Sequence, residues 1–311
     1  MLWEIGLHIA GDPATPYTGN RDLCISVGSG SGASYQPWLR MSVGSPVLAH
    51  AVARGELEAA MVNPSALLTQ AVRGKGLFDR PLPLVIVANY PSWDRFAVAV
   101  HPRTGLRSLA DVAQKRFPLR LSTREDPTHS TRDLIAQLFA VYGFSLDDLQ
   151  RWGGSLQLNG GPGDRRRLDA LAAGSVDAVM DEGLALWLEP ALAAGYRPLA
   201  LEPGTFAQLA ELGWRRVVMP AGTYRGLDAD YACIDYSGWP LYARADLPDE
   251  VAYQIVDAIH AREREIVWED FNERAPYAGI GPLGIETEAT PRDVPLHPGS
   301  VRWFRAHGFK L

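Results

Sequence analysis

Short apolar runs alternate along this chain with longer stretches of helical period, and that alternation constrains the fold more than any other feature of the sequence. "LPLVIVANY" (Leu82–Tyr90) and "RFAVAVHP" (Arg95–Pro102) are nearly continuous apolar strands on either side of the turn "PSWD". "WEIGLHIA" (Trp3–Ala10) and "LCISVG" (Leu23–Gly28) also read as strands, and a further one fits Trp38–Val43. Strand, polar turn and helix then repeat: "AAMVN" precedes "PSALLTQAVRG", and "FPLRLST" precedes the helix in "THSTRDLIAQLFAVYG". A glycine turn leads into "DRRRLDALAAG", followed by the strand "VDAVM". Ser45 before Pro46 has the form of an N-cap followed by proline at the first helical position. A long helix is expected over "DEVAYQIVDAIHAREREIVWEDFNE", ahead of a loop-rich tail. The predicted class is α/β.

At 311 residues the chain exceeds the length at which one hydrophobic core usually stops growing, so two units are expected. The chain leaves a first lobe near Ala97–His101, builds a second, and returns through "YACIDYSGWPLYA". The expected division is residues 1–100 with 235–311 as lobe I and 101–234 as lobe II. Two extended crossovers make a hinge, and polar loops at the strand ends face a central ligand cleft, where α/β sheets bind ligands.

Composition narrows the partners. A net charge of -6 lacks the basic surface that a phosphate backbone needs, so no nucleic acid is expected. The two cysteines, Cys24 and Cys233, form no CxxC and give no zinc spacing, and whether they pair is open. No metal or other cofactor is expected. No apolar run approaches the ~20 residues of a membrane span, so no membrane insertion is expected. The start has neither a basic n-region nor an apolar h-region, which predicts a cytoplasmic protein for the sequence as written and a periplasmic one if a leader was removed.

"MPAGTYRGLDADY", "LYARADLPDEVAYQIVDAI" and "PLHPGSVRWFRAHG" together resemble the solute receptors of the TAXI branch of TRAP transporters. "RGELEAAMVN" and "AGSVDAVMDEG" are similar to that family's pattern ahead of a strand, and "DPTHSTRDLIAQLFAVYGF" to its helix start. The resemblance runs from Pro46 to the C-terminus. It implies a two-lobed type II periplasmic-binding-protein-like fold, a small organic anion as ligand, and a TRAP membrane component as partner if the chain is exported. Where the family has a glycine-rich turn opening a full helix, this chain has "GSGSGASYQPWLR", with Pro37 leaving little room for one.

The candidate ligand groups are the polar turns. Thr128, Ser130 and Thr131 stand at a helix N-terminus, where backbone N–H groups and the dipole favour an anion, and capping alone also accounts for one of them. Ser31, Ser34 and Tyr35 lie in a glycine-rich turn that suits a carboxylate or is a surface loop. Asn63 and Ser65 follow a strand, and Asn63 is explained by capping ahead of Pro64. Tyr90, Trp93 and Asp94 sit between two core strands, either walling an organic ligand or packing. Asp181 and Glu182 end a strand and are expected on opposite faces, with one of them in the cleft. Asp235, Tyr236 and Trp239 are placed by the returning crossover along the hinge. "DRRRLD" reads as a solvated face.

No Ser-His-Asp order emerges, and the catalytic list is empty; Asp94, Asp181 and Asp235 are the carboxylates to test. The leading expectation is a solute-binding protein for a small organic anion, a carboxylate. The alternatives are a signal-less enzyme on the same fold, such as a decarboxylase or a biosynthetic enzyme acting on an aromatic or cyclic acid, and a cytosolic ligand sensor.

Overall fold

The computed structural model describes residues 25–28, 38–43, 46–90, 92–261 and 289–311. The strand expected at Trp3–Ala10, the turn with Ser31, Ser34 and Tyr35, and Cys24 and Ser45 lie outside the described residues. The strands are β1 (Ile25–Gly28), β2 (Trp38–Val43), β3 (Ala59–Met61), β4 (Leu84–Tyr90), β5 (Arg95–Val100) and β6 (Arg120–Arg124). They continue with β7 (Ser155–Asn159), β8 (Ala178–Asp181), β9 (Arg197–Pro198), β10 (Arg216–Met219), β11 (Tyr231–Asp235) and β12 (Trp239–Arg244). The helices are α1 (Leu48–Ala53), α2 (Ala66–Arg73), α3 (Leu109–Lys115), α4 (Ser130–Val141) and α5 (Leu146–Arg151). After them come α6 (Arg165–Ala173), α7 (Leu188–Ala193), α8 (Pro203–Glu211), α9 (Asp249–Ala261) and α10 (Pro298–Ala306).

The chain forms two compact units, residues 1–93 with 237–311, and residues 94–236. Each unit is built of a sheet with helices, the α/β class expected from the sequence. The crossings fall at different residues from those anticipated. β5 was placed in the first lobe because its apolar run continues that of β4, yet its backbone partners are β8, β9 and β11. Asp235 and Tyr236 also belong to the second unit. Asp235 pairs with Arg95, and the Tyr236 N–H donates to the Asp94 carbonyl at 3.0 Å.

In the first unit the strand order is β1-β2-β3-β12-β4, with β12 antiparallel to both neighbours. The carboxyl ends of β3 and β4 therefore meet the start of β12, and Trp239 stands opposite Tyr90. The apolar face of α9 (Ala252, Ile255 and Val256, spaced i, i+3, i+4) packs with Trp303 and Phe304 of α10 against Val87, Ala88, Leu241 and Ala243. His297 fixes the start of α10: its Nδ1 accepts from Gly299 N at 3.1 Å, and its Nε2 lies 2.8 Å from the Leu247 carbonyl. At the other end of the unit α1 begins at Leu48 and is preceded by Val47 without a side-chain cap, so Pro46 belongs to the turn before the helix rather than to its first position.

The second unit has the order β10-β11-β5-β8-β6-β7, with β9 pairing β5. β6 runs parallel to β7 and β8, and β5 runs antiparallel to β8 and β11. That topology gathers the carboxyl ends of β6, β7, β8 and β11, together with the amino end of β5, along one edge.

Gly238, at φ +88°, leads into β12, and a Cβ there would lie 2.1 Å from the Ala289 carbonyl oxygen. Gly195 has the same φ with nothing within 4 Å of such a Cβ. Gly195→Ala should cost about 1–2 kcal/mol, the strain of the left-handed region alone. Gly238→Ala should cost clearly more, because the backbone must also shift. Urea midpoints compare the two, and equal losses would contradict the close approach at Gly238.

Candidate functional site

In the first unit the expected site residues gather where β3 and β4 end and β12 begins, and much of their bonding is internal. Asn63 is not a helix cap. Its Nδ2 donates to the Gly238 carbonyl at 3.0 Å, and α2 starts only at Ala66. The cap position is Ser65, which makes no side-chain cap bond; its backbone N–H donates to the Ser237 carbonyl at 3.0 Å. The Ser92 hydroxyl accepts from Gly238 N at 2.9 Å, and Asn89 Nδ2 donates to the Ala289 carbonyl at 2.7 Å. These contacts hold the lead-in to β12. Tyr90, Trp93 and Trp239, each half-buried, are the aromatic groups at this end.

The edge of the second unit is more highly charged. Asp181, fully buried, closes β8. Its Oδ1 accepts from Arg124 Nε at 2.9 Å and from Glu182 N at 2.9 Å, and Arg167 Nη1 lies 2.5 Å from its Oδ2. Glu182, expected on the opposite face, instead pairs with Nη2 of the same Arg124. The chain leaves extended geometry there: Gly183 follows at φ +62°, and strand alternation no longer sets where Glu182 points. Asp181 is thus a fully buried counter-ion to two guanidiniums.

Arg124 and Arg167 were missed by the sequence reading. "DRRRLD" holds a solvated face at Arg165, Arg166 and Asp169, whereas Arg167 is fully buried with Ala170 and Leu171. The apolar residues three and four positions after Arg167 were the available signal. Arg167 Nε also donates to the Ser122 hydroxyl at 3.1 Å, and Asn159 Nδ2 donates to the same oxygen at 2.9 Å.

The other two test carboxylates are also engaged. Asp235 Oδ1 lies 3.2 Å from Arg95 Nη1 in a buried pair. Asp94 Oδ1 accepts from Arg95 N at 2.8 Å and from Gly183 N at 3.1 Å.

The start of α4 lies beside this cluster. The N-cap is His129, none of the three hydroxyl residues: its Nδ1 accepts from Thr131 N at 3.2 Å. Thr128 is exposed, and both its N–H and its hydroxyl donate to Asp126 Oδ1 at 2.8 Å. Ser130 and Thr131 are buried, with their hydroxyls 2.5 and 3.2 Å from the Tyr236 hydroxyl. Burial keeps that phenol well above its ordinary range, so it stays protonated, and its ring stacks between Phe96 and Trp214. Arg132, on the first turn of α4, donates from Nη1 to the Arg124 carbonyl at 2.9 Å. The end of β6 is thereby tied to the helix start that carries Ser130 and Thr131.

Residues 194–308, just over a third of the chain, match the model of the NMT1-like family. No curated protein matches the chain. Among solved structures, the alkanesulfonate-binding protein SsuA from Xanthomonas axonopodis pv. citri, bound to MOPS, is 17% identical with a TM-score of 0.33, over 78% of this chain and 74% of that one. A binding protein component of an ABC phosphonate transporter from Pseudomonas aeruginosa is 13% identical with a TM-score of 0.37, over 69% and 60%. MatC from Rhodopseudomonas palustris, with malate bound, is 14% identical with a TM-score of 0.31, over 69% and 67%. Similarity at this level carries no residue roles.

Two groups on the first turns of α4 titrate in opposite senses. Burial, reinforced by Arg124, lowers the His129 imidazole to about 4, whereas burial raises the Asp133 carboxyl to about 7, against the pull of Arg132. Below its unfolded value near 6.5 the imidazole takes up a proton in the unfolded chain but not in the folded one, so His129 removes stability as pH falls towards 4. Asp133 is protonated in the folded chain from about 7 and in the unfolded chain only near 3.8, so it adds stability over that fall. His129→Asn, which keeps a cap, should make stability increase relative to wild type between pH 6.5 and 4, and Asp133→Asn should make it decrease. Denaturation midpoints across that range test the pair, and shifts of the same sign would contradict it.

Proposed function

We propose that this chain is a solute-binding protein for a small organic carboxylate, anchored at the strand-end edge of the second unit by Arg124 and the start of α4. The observation that carries the reading is the position of Arg124. Its guanidinium is nine-tenths buried at the carboxyl end of β6, and its carbonyl accepts from Arg132 on the first turn of α4 at 2.9 Å. A guanidinium offers paired N–H groups that match a carboxylate, and helix N–H groups and hydroxyls add donors for an anion.

The carboxylates best suited to proton transfer support binding over turnover. Asp181 is held between two guanidiniums, Asp235 by Arg95, and Asp94 by two backbone N–H groups. A general base must reach its substrate's proton, and these oxygens are already engaged. Service as a TAXI-type receptor for a TRAP membrane component is the finer form of the same proposal, resting on the resemblance of the tail segments.

Native mass spectrometry of protein purified from its source should find a bound carboxylate that is released chemically intact after prolonged incubation. Arg124→Gln should weaken its binding about 10- to 100-fold, as expected for hydrogen bonds to a charged group worth ~1.5–3 kcal/mol. Release of a decarboxylated or rearranged product would overturn the receptor reading in favour of an enzyme.

A further inference from the structure

Arg124 is already occupied by a carboxylate of its own chain, and the geometry there differs from that of an ordinary buried pair. Asp181 takes the Nε edge of the guanidinium at 2.9 Å, while Glu182 takes Nη2; the other terminal nitrogen reaches only to the Gly160 carbonyl at 3.4 Å. Glu182 therefore covers one arm, Nη2, of the fork of terminal nitrogens that would receive a carboxylate. Asp181 is tied twice more, to Arg167 and to its own neighbour's N–H, and cannot leave without stranding a buried charge. Glu182 is tied differently.

The backbone around Glu182 is pinned while its side chain reaches out. Its N–H donates to Asp181 Oδ1 at 2.9 Å, its carbonyl accepts from Trp187 Nε1 at 2.9 Å, and Gly183 N donates to Asp94 Oδ1 at 3.1 Å. Releasing Arg124 thus requires none of these backbone bonds to break. Charge counting points the same way. Arg124, Arg167 and Asp181 leave one net positive charge, and Glu182 brings the group to zero. An incoming monoanion would restore the same balance.

We propose that Glu182 is an internal stand-in for the ligand: it caps the Arg124 fork in the empty protein, and a carboxylate ligand displaces it. This rests on the anion-binding reading of Arg124 and adds the device that sets its selectivity. Only an anion that neutralises one charge and reaches Nη2 replaces Glu182 without loss, which favours monocarboxylates over neutral solutes. Glu182 acts through Arg124 and is a positioning residue.

The test is chemical rescue in the purified full-length protein, with acetate as probe. Glu182→Ala should show a saturable rise in melting temperature in sodium acetate relative to sodium fluoride of equal ionic strength, of about 2 °C. Wild type should show none, because its own carboxylate fills the place. Should the alanine variant not fold, Glu182→Thr, which shortens the side chain and removes the charge, should give the same response. Adding Arg124→Gln should abolish the rise. An acetate response no larger than that of wild type, or one that persists without Arg124, overturns the proposal. Rescue without any recovered native ligand would keep the exchange at Arg124 and sink the receptor reading; recovered ligand without rescue would do the reverse.

Discussion

A buried carboxylate between two guanidiniums organises the second unit. Asp181 has no exposed side-chain surface, and a charge in that position is tolerable only when it is paired and hydrogen-bonded. The pairing ties three strands and a helix: Asp181 from β8, Arg124 from β6, Arg167 from α6, and through Ser122 the Asn159 side chain from β7. Because the cluster lies at the carboxyl ends of parallel strands, the demand for charge balance falls at the edge where α/β sheets take ligands. Scaffold and candidate site share the same atoms.

A second charged centre at the opposite end of these strands shows the contrast. Asp177, just before β8, accepts from Arg103 and from the backbone and side chain of Arg120 at 2.7 to 3.0 Å. Burial opposes its ionisation, yet the Arg120 bonds outweigh that and hold the carboxyl below its ordinary range. There the arginine side chains remain part-exposed and the carboxylate satisfies them. At the Asp181 end, Arg124 is buried and carries a second carboxylate, Glu182.

The α/β class was legible because strands such as β4 and β5 are buried along nearly their whole length and so read as unbroken apolar runs. That property also hid the unit boundary, since β4 and β5 look alike in sequence while hydrogen-bonding in different sheets. The contact of Ser130 and Thr131 with Tyr236 was not legible, because it joins residues more than 100 positions apart and Tyr236 was expected on the crossover to the first lobe. Nor were the arginine partners, because a charged residue on a helix is read as solvated unless the carboxylate it serves is known, and Asp181 is 14 residues beyond Arg167. Asn63 and Thr128 fit a capping pattern in sequence, and each found another partner: Asn63 the Gly238 carbonyl, Thr128 the Asp126 carboxylate.

The account depends on Asp181 and its arginines acting as one electrostatic unit, and a double-mutant cycle between Asp181 and Arg167 measures this most directly. Removing either partner should destabilise by about 3–5 kcal/mol, since each leaves an uncompensated buried charge. Asp181→Asn combined with Arg167→Met should then cost well below the sum of the two. Additive losses, or an Asp181→Asn protein of wild-type stability that has only lost its ligand, would contradict the structural role given to this carboxylate.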